Sequence, residues 1–401
     1  MENLATRLKE LCHNKDDEGL KTLALELGYT EAGKTMANFS ALSDFFGCEE
    51  LLAQLAMSAL ATADPDQALN NLERLSNSIS AEDLRPTLTD STRQKQLLTV
   101  LGASQFLTGI LCRDKSFFQN LIIKSEIDLR KTEEMMISEL RKAISEQVTF
   151  EELQTLLRRY KCQEILRISS RDLNGIADLV EVTDELSSLA AATLQRAYEV
   201  SDFILKKEFG RPMVTANEDE EAKEAEFTVF GMGKFGGREL NFSSDIDLIY
   251  FYSSEKGKTT GIDGPLGTPI NQIPVHNYFI KLSDMVSKAI GQVTADGFVF
   301  RVDLRLRPEG NSGEMAQPAE NAILYYESWG QSWERSALIK ARPVAGSMKL
   351  GNYILQELEP FIYRRHLDYA MVEDIKGMKQ KIVGSSVKKA CRRAGKPDCC
   401  M

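Results

Sequence analysis

Two aspartates one residue apart, in the run "SSDIDLIYFY", constrain this chain more than any other feature. The residues after them are β-branched, aliphatic and aromatic, the composition of a strand. Side chains alternate across a strand, so Asp245 and Asp247 fall on one face while Ile246 and Leu248 point into a core. Two carboxylates held together repel, which pushes one toward protonation. A divalent cation between them removes that penalty, and oxygen-only ligands favour Mg²⁺ or Mn²⁺.

The residues ahead of the aspartates fit the same reading. "FTVFGMG" (Phe227 to Gly233) is a short apolar run that stops in glycine, as a buried strand entering a tight turn does. Gly231, Gly233, Gly236 and Gly237 permit positive φ and leave bare backbone, so successive N–H groups can face a phosphate. Lys234, Ser243 and Ser244 can add donors. A plain turn remains the alternative, because no Walker loop is present and the glycines match no dinucleotide-binding fingerprint. Downstream, "GFVFRVDLRLRP" alternates strictly up to Pro308, which predicts a third strand. It places Arg301, Asp303, Arg305 and Arg307 on one face, a third acid in a row of cations whose planar forks suit phosphate oxygens.

Along the chain, periodic apolar spacing predicts helices up to about Lys207, in "RQKQLLTVLGASQFLTGILCRDKSFFQNLI" and "DLVEVTDELSSLAAATLQRAYEVSDFILKKEF". The expected organisation is a helical domain over 1–208, an acidic loop over 209–226, an α/β segment over 227–318 and helices over 319–401. Within the α/β segment, Phe279, Leu282, Met285, Val286, Ala289, Ile290 and Val293 share one helical face. The 401 residues, 43% hydrophobic, suffice for a substantial core. A net charge of −10 argues against plain nucleic-acid binding. No apolar run is long enough to span a bilayer and the N-terminus is not a signal peptide, so the expected address is cytoplasmic. The seven cysteines show no CxxC spacing and read as reduced thiols.

A glycine turn, D-x-D on a strand and a third acid on a later strand resemble the DNA polymerase β-like nucleotidyltransferase superfamily. The implied fold is α+β, a small mixed sheet embedded in a mostly helical chain. The words "GMGKFGGRELNFSSDIDLIYFY", "FVFRVDLRLRPEGNSG", "YYESWGQSWERSALIKARPVAG" and "ILRISSRDLNGIADLVEVTDELSSLA" look like the glutamine synthetase adenylyltransferase/adenylyl-removing enzymes, over about Leu97 to Lys381. Members carry two such domains. One that follows some two hundred helical residues resembles the first, deadenylylating half. The resemblance implies that Asp245, Asp247 and Asp303 bind two Mg²⁺ ions and that the glycine turn with Ser244 holds the nucleotide phosphates. It further implies that inorganic phosphate attacks the AMP phosphorus on a modified tyrosine of glutamine synthetase, giving ADP. ADP or ATP and phosphate are then substrates or products, and glutamine synthetase and the PII signal protein the partners.

Other positions stay open. Glu334, Arg335, Lys340 and Arg342 either contact nucleotide or phosphate or form an internal ion-pair network. Trp329 and Trp333 read as packing residues, His276 as a surface or capping residue, and Arg167, Arg171 and Asp172 as helix-packing ion pairs. The ending "VGSSVKKACRRAGKPDCCM" departs from the family pattern and is expected to be a truncated or frameshifted end, without a second catalytic half. The rival functions are AMP transfer from ATP and a regulatory module that binds nucleotide or PII without turnover.

Overall fold

The structure is a computed structural model that describes residues 2–215, 221–265, 267–363 and 376. Apart from residue 376, the expected helix through "EDIKGMKQKI", the unusual ending and Cys391, Cys399 and Cys400 lie outside the described residues. The fold is α+β, with short strands set in a largely helical chain. The chain forms two compact units, Met1–Thr132 with Arg159–Leu186, and Glu133–Arg158 with Ser187–Met401. Contacts therefore group residues 133–158 and 187–208 with the α/β segment.

In the first unit short helices follow one another with a side-chain cap at many starts. Asp64 accepts from the Gln67 N–H with Pro65 at the first helical position, and Ser104 and Asp114 cap in the same way. Those two caps divide the predicted helical stretch into Ser91–Ala103, Gln105–Arg113 and Lys115–Phe118. Two long helices, α1 (Phe150–Leu173) and α2 (Leu179–Phe209), contribute to both units. Where they belong to the first unit they bury charge. Arg167 bridges Glu164 (2.8 Å) and Glu185 (2.6 Å), Lys131 meets Glu164 (2.8 Å), and Arg171 pairs with Glu185 (3.3 Å) and Glu181. The packing ion pairs expected of Arg167 and Arg171 are thus present.

The second unit is built on a five-stranded sheet: β1 (Phe227–Gly231), β2 (Ile246–Tyr252), β3 (Val302–Asp303), β4 (Ala316–Pro318) and β5 (Arg342–Gly346). β1 runs antiparallel to β2 and β5, whereas β3 and β4 both pair parallel with β2. The short helix α3 (Gly233–Gly236) follows β1, and α4 (Val275–Gly291), α5 (Ala319–Trp329), α6 (Ser332–Leu338) and α7 (Met348–Ile362) complete the unit. Both faces of β1 and β2 are covered, which explains their unbroken apolar runs. On one face Phe227, Tyr250, Tyr252 and Phe279 stack with ring centroids 4.8–5.8 Å apart. On the other, Phe230, Ile249 and Phe251 pack with Tyr326, Leu350, Ile354 and Phe361.

Four expectations need correction. The third strand is two residues long, because the backbone turns from Arg305 onward. "RPVAG", expected within helix, is strand β5, its extended backbone held by pairing with β1. The segment 209–226 supplies strands Pro212–Val214 and Lys223–Glu224, which join Gly257–Thr259 in a three-stranded sheet. Trp329, at the end of α5, and Val293, past the end of α4, are each 73% exposed rather than packed. No helix among the described residues is long and apolar enough to cross a membrane. Cys12, Cys48, Cys112 and Cys162 are free thiols.

Candidate active site

The pairing of β2 with β3 brings the acids together. Parallel register sets Asp247 directly beside Asp303, and Asp245 precedes β2 by one residue. On the other side β1 delivers the chain into α3, where Met232 N–H donates to the Asp247 carbonyl at 2.9 Å. Gly233 then takes φ +55°, and a Cβ placed there would stand 3.0 Å from Asp247 Oδ2. Only glycine lets the turn lie against that carboxylate without strain. Gly236 is equally constrained: a Cβ would sit 2.0 Å from the Lys340 carbonyl oxygen.

The three acids meet different surroundings. Arg301 donates to Asp245 and, at 2.5 Å, to the Ser243 carbonyl. Arg305 clasps Asp303 through Nε (3.0 and 2.9 Å to its two oxygens) and Nη2, and its backbone N–H donates to Oδ1 at 2.9 Å. The Arg305 clasp holds the Asp303 carboxyl below its ordinary range. Asp247 is left without a hydrogen bond or ion pair to its carboxylate among the described residues. Burial, then the charges of Asp303 and Asp245, push its pKa up to about 6, against the pull of Arg305. With two acids turned to arginines, no group of three among the described residues is already gathered round a common cation position. The donor set nevertheless fits hard divalent cations: three carboxylates, two of them in register, with a side-chain-free turn against Asp247, one of that pair.

The remaining candidates divide. Lys234 Nζ donates to Asn241 Oδ1 at 3.1 Å, joining the glycine turn to the turn that carries Ser243 and Ser244. Lys340 pairs with Glu239 at 2.6 Å and braces Gly236 and Gly237 from behind. The structure does not hold Arg307 with the other arginines, for it donates to the carbonyls of Leu304, Asn311 and Gly313 in its own loop. Glu334 is buried, accepts from the Gln331 N–H at 2.8 Å and the Tyr325 hydroxyl at 3.1 Å, and burial raises its pKa. Arg335 is also buried, its guanidinium over the Phe361 ring at 5.1 Å. His276 Nδ1 hydrogen-bonds the Tyr252 hydroxyl at 2.9 Å, at the far end of β2 from the acids.

Sequence reasoning missed the support of the glycine turn. Arg238, a non-glycine residue at φ +58°, reaches Glu133 at 3.2 Å and the Ser188 hydroxyl at 2.9 Å, and Leu240 N–H donates to the Ser187 hydroxyl at 3.2 Å. Arg342 also approaches Glu133, at 3.7 Å, and donates to the Gly236 carbonyl. No periodicity links residue 133 to 238. The only trace was that "ELSSLA" lies within one of the resembling words.

The family model for glutamate-ammonia ligase adenylyltransferase matches residues 94–357. Among similar proteins is the bifunctional glutamine synthetase adenylyltransferase/adenylyl-removing enzyme of Pseudomonas syringae pv. tomato, 39% identical over 283 residues, 71% of this chain and 28% of that protein. Those of Nitrosococcus oceani (36%, 78% of this chain, 31% of that protein) and Pseudomonas aeruginosa (37%, 72% and 28%) are similar too. The chain spans less than a third of the length of these relatives.

Proposed function

Because the chain belongs to the glutamate-ammonia ligase adenylyltransferase family, we propose that its second unit removes AMP from an adenylylated tyrosine of glutamine synthetase by phosphorolysis. The observation that carries the chemistry is the in-register pair Asp247 and Asp303 with the bare glycine turn closed against Asp247. Helical chain ahead of the site, the placement implied for the adenylyl-removing half, supports the direction. PII is the implied regulator.

In this reading Asp245, Asp247 and Asp303 hold two Mg²⁺ ions, with Mn²⁺ as a substitute, and these would stabilise both the attacking and the leaving oxygen of an in-line displacement. The residues of the chain do the positioning. The start of the turn at Gly233 and Lys234, with Ser244, orients the anionic phosphoryl groups through backbone and side-chain donors, the Gly236 and Gly237 N–H groups being taken by the Met232 and Gly233 carbonyls. A phosphate oxygen forms the new bond to the AMP phosphorus, the phosphorus–tyrosyl oxygen bond breaks, and the tyrosine oxygen takes up a proton. ADP and unmodified tyrosine result. Of the arginine row expected to bind phosphate, Arg301 and Arg305 face acids and Arg307 donates within its own loop.

The test is incubation with adenylylated glutamine synthetase, Mg²⁺ and radiolabelled phosphate. Label should enter ADP, and Asp247→Asn should slow this on the order of a thousandfold. Unlabelled AMP would mean hydrolysis. AMP transfer from ATP onto unmodified glutamine synthetase, without the phosphate-dependent reaction, would reverse the assigned direction.

A further inference from the structure

The two arginines at the acids are anchored differently. Arg301 has a second hold, on the Ser243 carbonyl, so its guanidinium is fixed to the serine turn as well as to Asp245. Among the described residues the hydrogen bonds of the Arg305 guanidinium all go to Asp303, and the side chain is 73% exposed. The guanidinium end of the pair is open to water although Asp303 is only 13% exposed, so the arginine can leave once another cation takes over the carboxylate. Asp303 moreover keeps its orientation without the guanidinium, because the Arg305 backbone N–H holds Oδ1 at 2.9 Å. A cation approaching Asp247 and Asp303 therefore meets a correctly aimed carboxylate already occupied by a displaceable charge.

We propose that Arg305 is the resident counter-ion of Asp303, exchanged for a divalent cation when the site loads, and that the released guanidinium then binds the phosphate groups of the nucleotide. This rests on the acids being metal ligands. Exchange keeps the charge of the cluster compensated at each stage: before loading, Arg305 offsets repulsion between Asp303 and Asp247; after loading, the cations do so, and the arginine is left beside incoming phosphate charge. Arg301, held twice, stays in place and positions Asp245.

Mn²⁺ binding to the full chain, read from the electron paramagnetic resonance signal of the free ion, separates the possibilities. Without nucleotide, Arg305→Ala should tighten Mn²⁺ roughly fivefold, since the variant loses the competitor but keeps the backbone bond that aims Asp303. Arg305→Lys should lie between it and the wild type, and Arg301→Ala should not tighten the ion. With Mn²⁺ saturating, Arg305→Ala should weaken ADP severalfold by calorimetry. Mn²⁺ binding unchanged or weakened by Arg305→Ala would overturn the exchange and make the clasp a support of the carboxylate. Wild type that binds no Mn²⁺, or binds it as well as Asp247→Asn does, would remove the metal site itself, and the exchange with it.

Discussion

Arginine–carboxylate pairing serves opposite ends in the two units. In the first, Lys131, Glu164, Arg167, Arg171 and Glu185 are between 0 and 4% exposed, and each charge has several partners on α1, α2 or the segment before them. Arg167 and Arg171 also donate to the Leu129 and Ile127 carbonyls. In the second, Arg301 and Arg305 are more than half exposed, and the Asp247 carboxylate has no partner among the described residues. The first arrangement could not exchange an ion without burying a bare charge. The second leaves an acid unpaid by the protein, which is the condition for binding something else. The same residue types thus make structure where every charge is matched and a reactive site where one is not.

That contrast can be broken most forcefully at Glu185. Glu185→Ala would leave Arg167 and Arg171 short of a counter-charge in a buried setting and deprive the Lys131 N–H of its 2.9 Å bond. A loss of about 3–5 kcal/mol is expected on urea unfolding followed by circular dichroism. Arg305→Ala should leave the midpoint where it was. Comparable midpoints for the two variants would show that the buried network is no more structural than the exposed clasp.

A smaller effect of opposite sign is expected at Asp247. Its folded pKa is raised from 3.8 to about 6, so the native state binds the proton more tightly than the unfolded chain. Metal-free stability should therefore fall as pH rises from about 4 to about 6 and stay lowered above that. Asp247→Asn removes this dependence. At pH 7 without metal it should be more stable than wild type by about 1 kcal/mol, the shift discounted for partial exposure, and the gap should close as pH falls toward 4. Thermal unfolding across that range decides it. A variant less stable than wild type at pH 7 would mean the carboxylate has a structural partner after all.

The legible parts of this molecule were those written in local pattern. β1, β2 and α4 follow from unbroken or periodic apolar runs, Asp245 and Asp247 from their place at the start of β2, and Asp303 from the alternation around β3. The strand through Asp303 was overread because "FRVDLRLRP" alternates perfectly, yet the Arg305 N–H donates to the Asp303 carboxylate and Arg307 to the Leu304 carbonyl, local bonds that stand in for a strand ladder. β5 was missed for the converse reason. "RPVAG" is short, contains proline and has no alternation, and its conformation comes from the partner β1. Pairing between remote segments leaves no mark in local spacing, and the brace behind the glycine turn is of this kind.

Glu133 tests that brace and fills the middle of the comparison, since its side chain is 19% exposed and that of Arg238 38%, between the buried network and the open clasp. Arg238 holds a left-handed backbone conformation that is strained for a residue with a Cβ, so its place at the end of the glycine turn has to be fixed from outside. Glu133 does this jointly for Arg238 and Arg342, and Arg342 in turn touches the Gly236 carbonyl. Glu133→Gln keeps the size and one acceptor but removes the charge. It should cost only about 0.5–1 kcal/mol in unfolding, as a partly exposed pair does. The turn that Arg238 terminates should nevertheless loosen, and Mg²⁺-ADP affinity measured by calorimetry should fall two- to fivefold, roughly. Glu133→Asp, which retains the charge, should recover part of it. If stability drops while nucleotide affinity stays put, the cluster only anchors its helix, and the middle case belongs with the buried network rather than with the site.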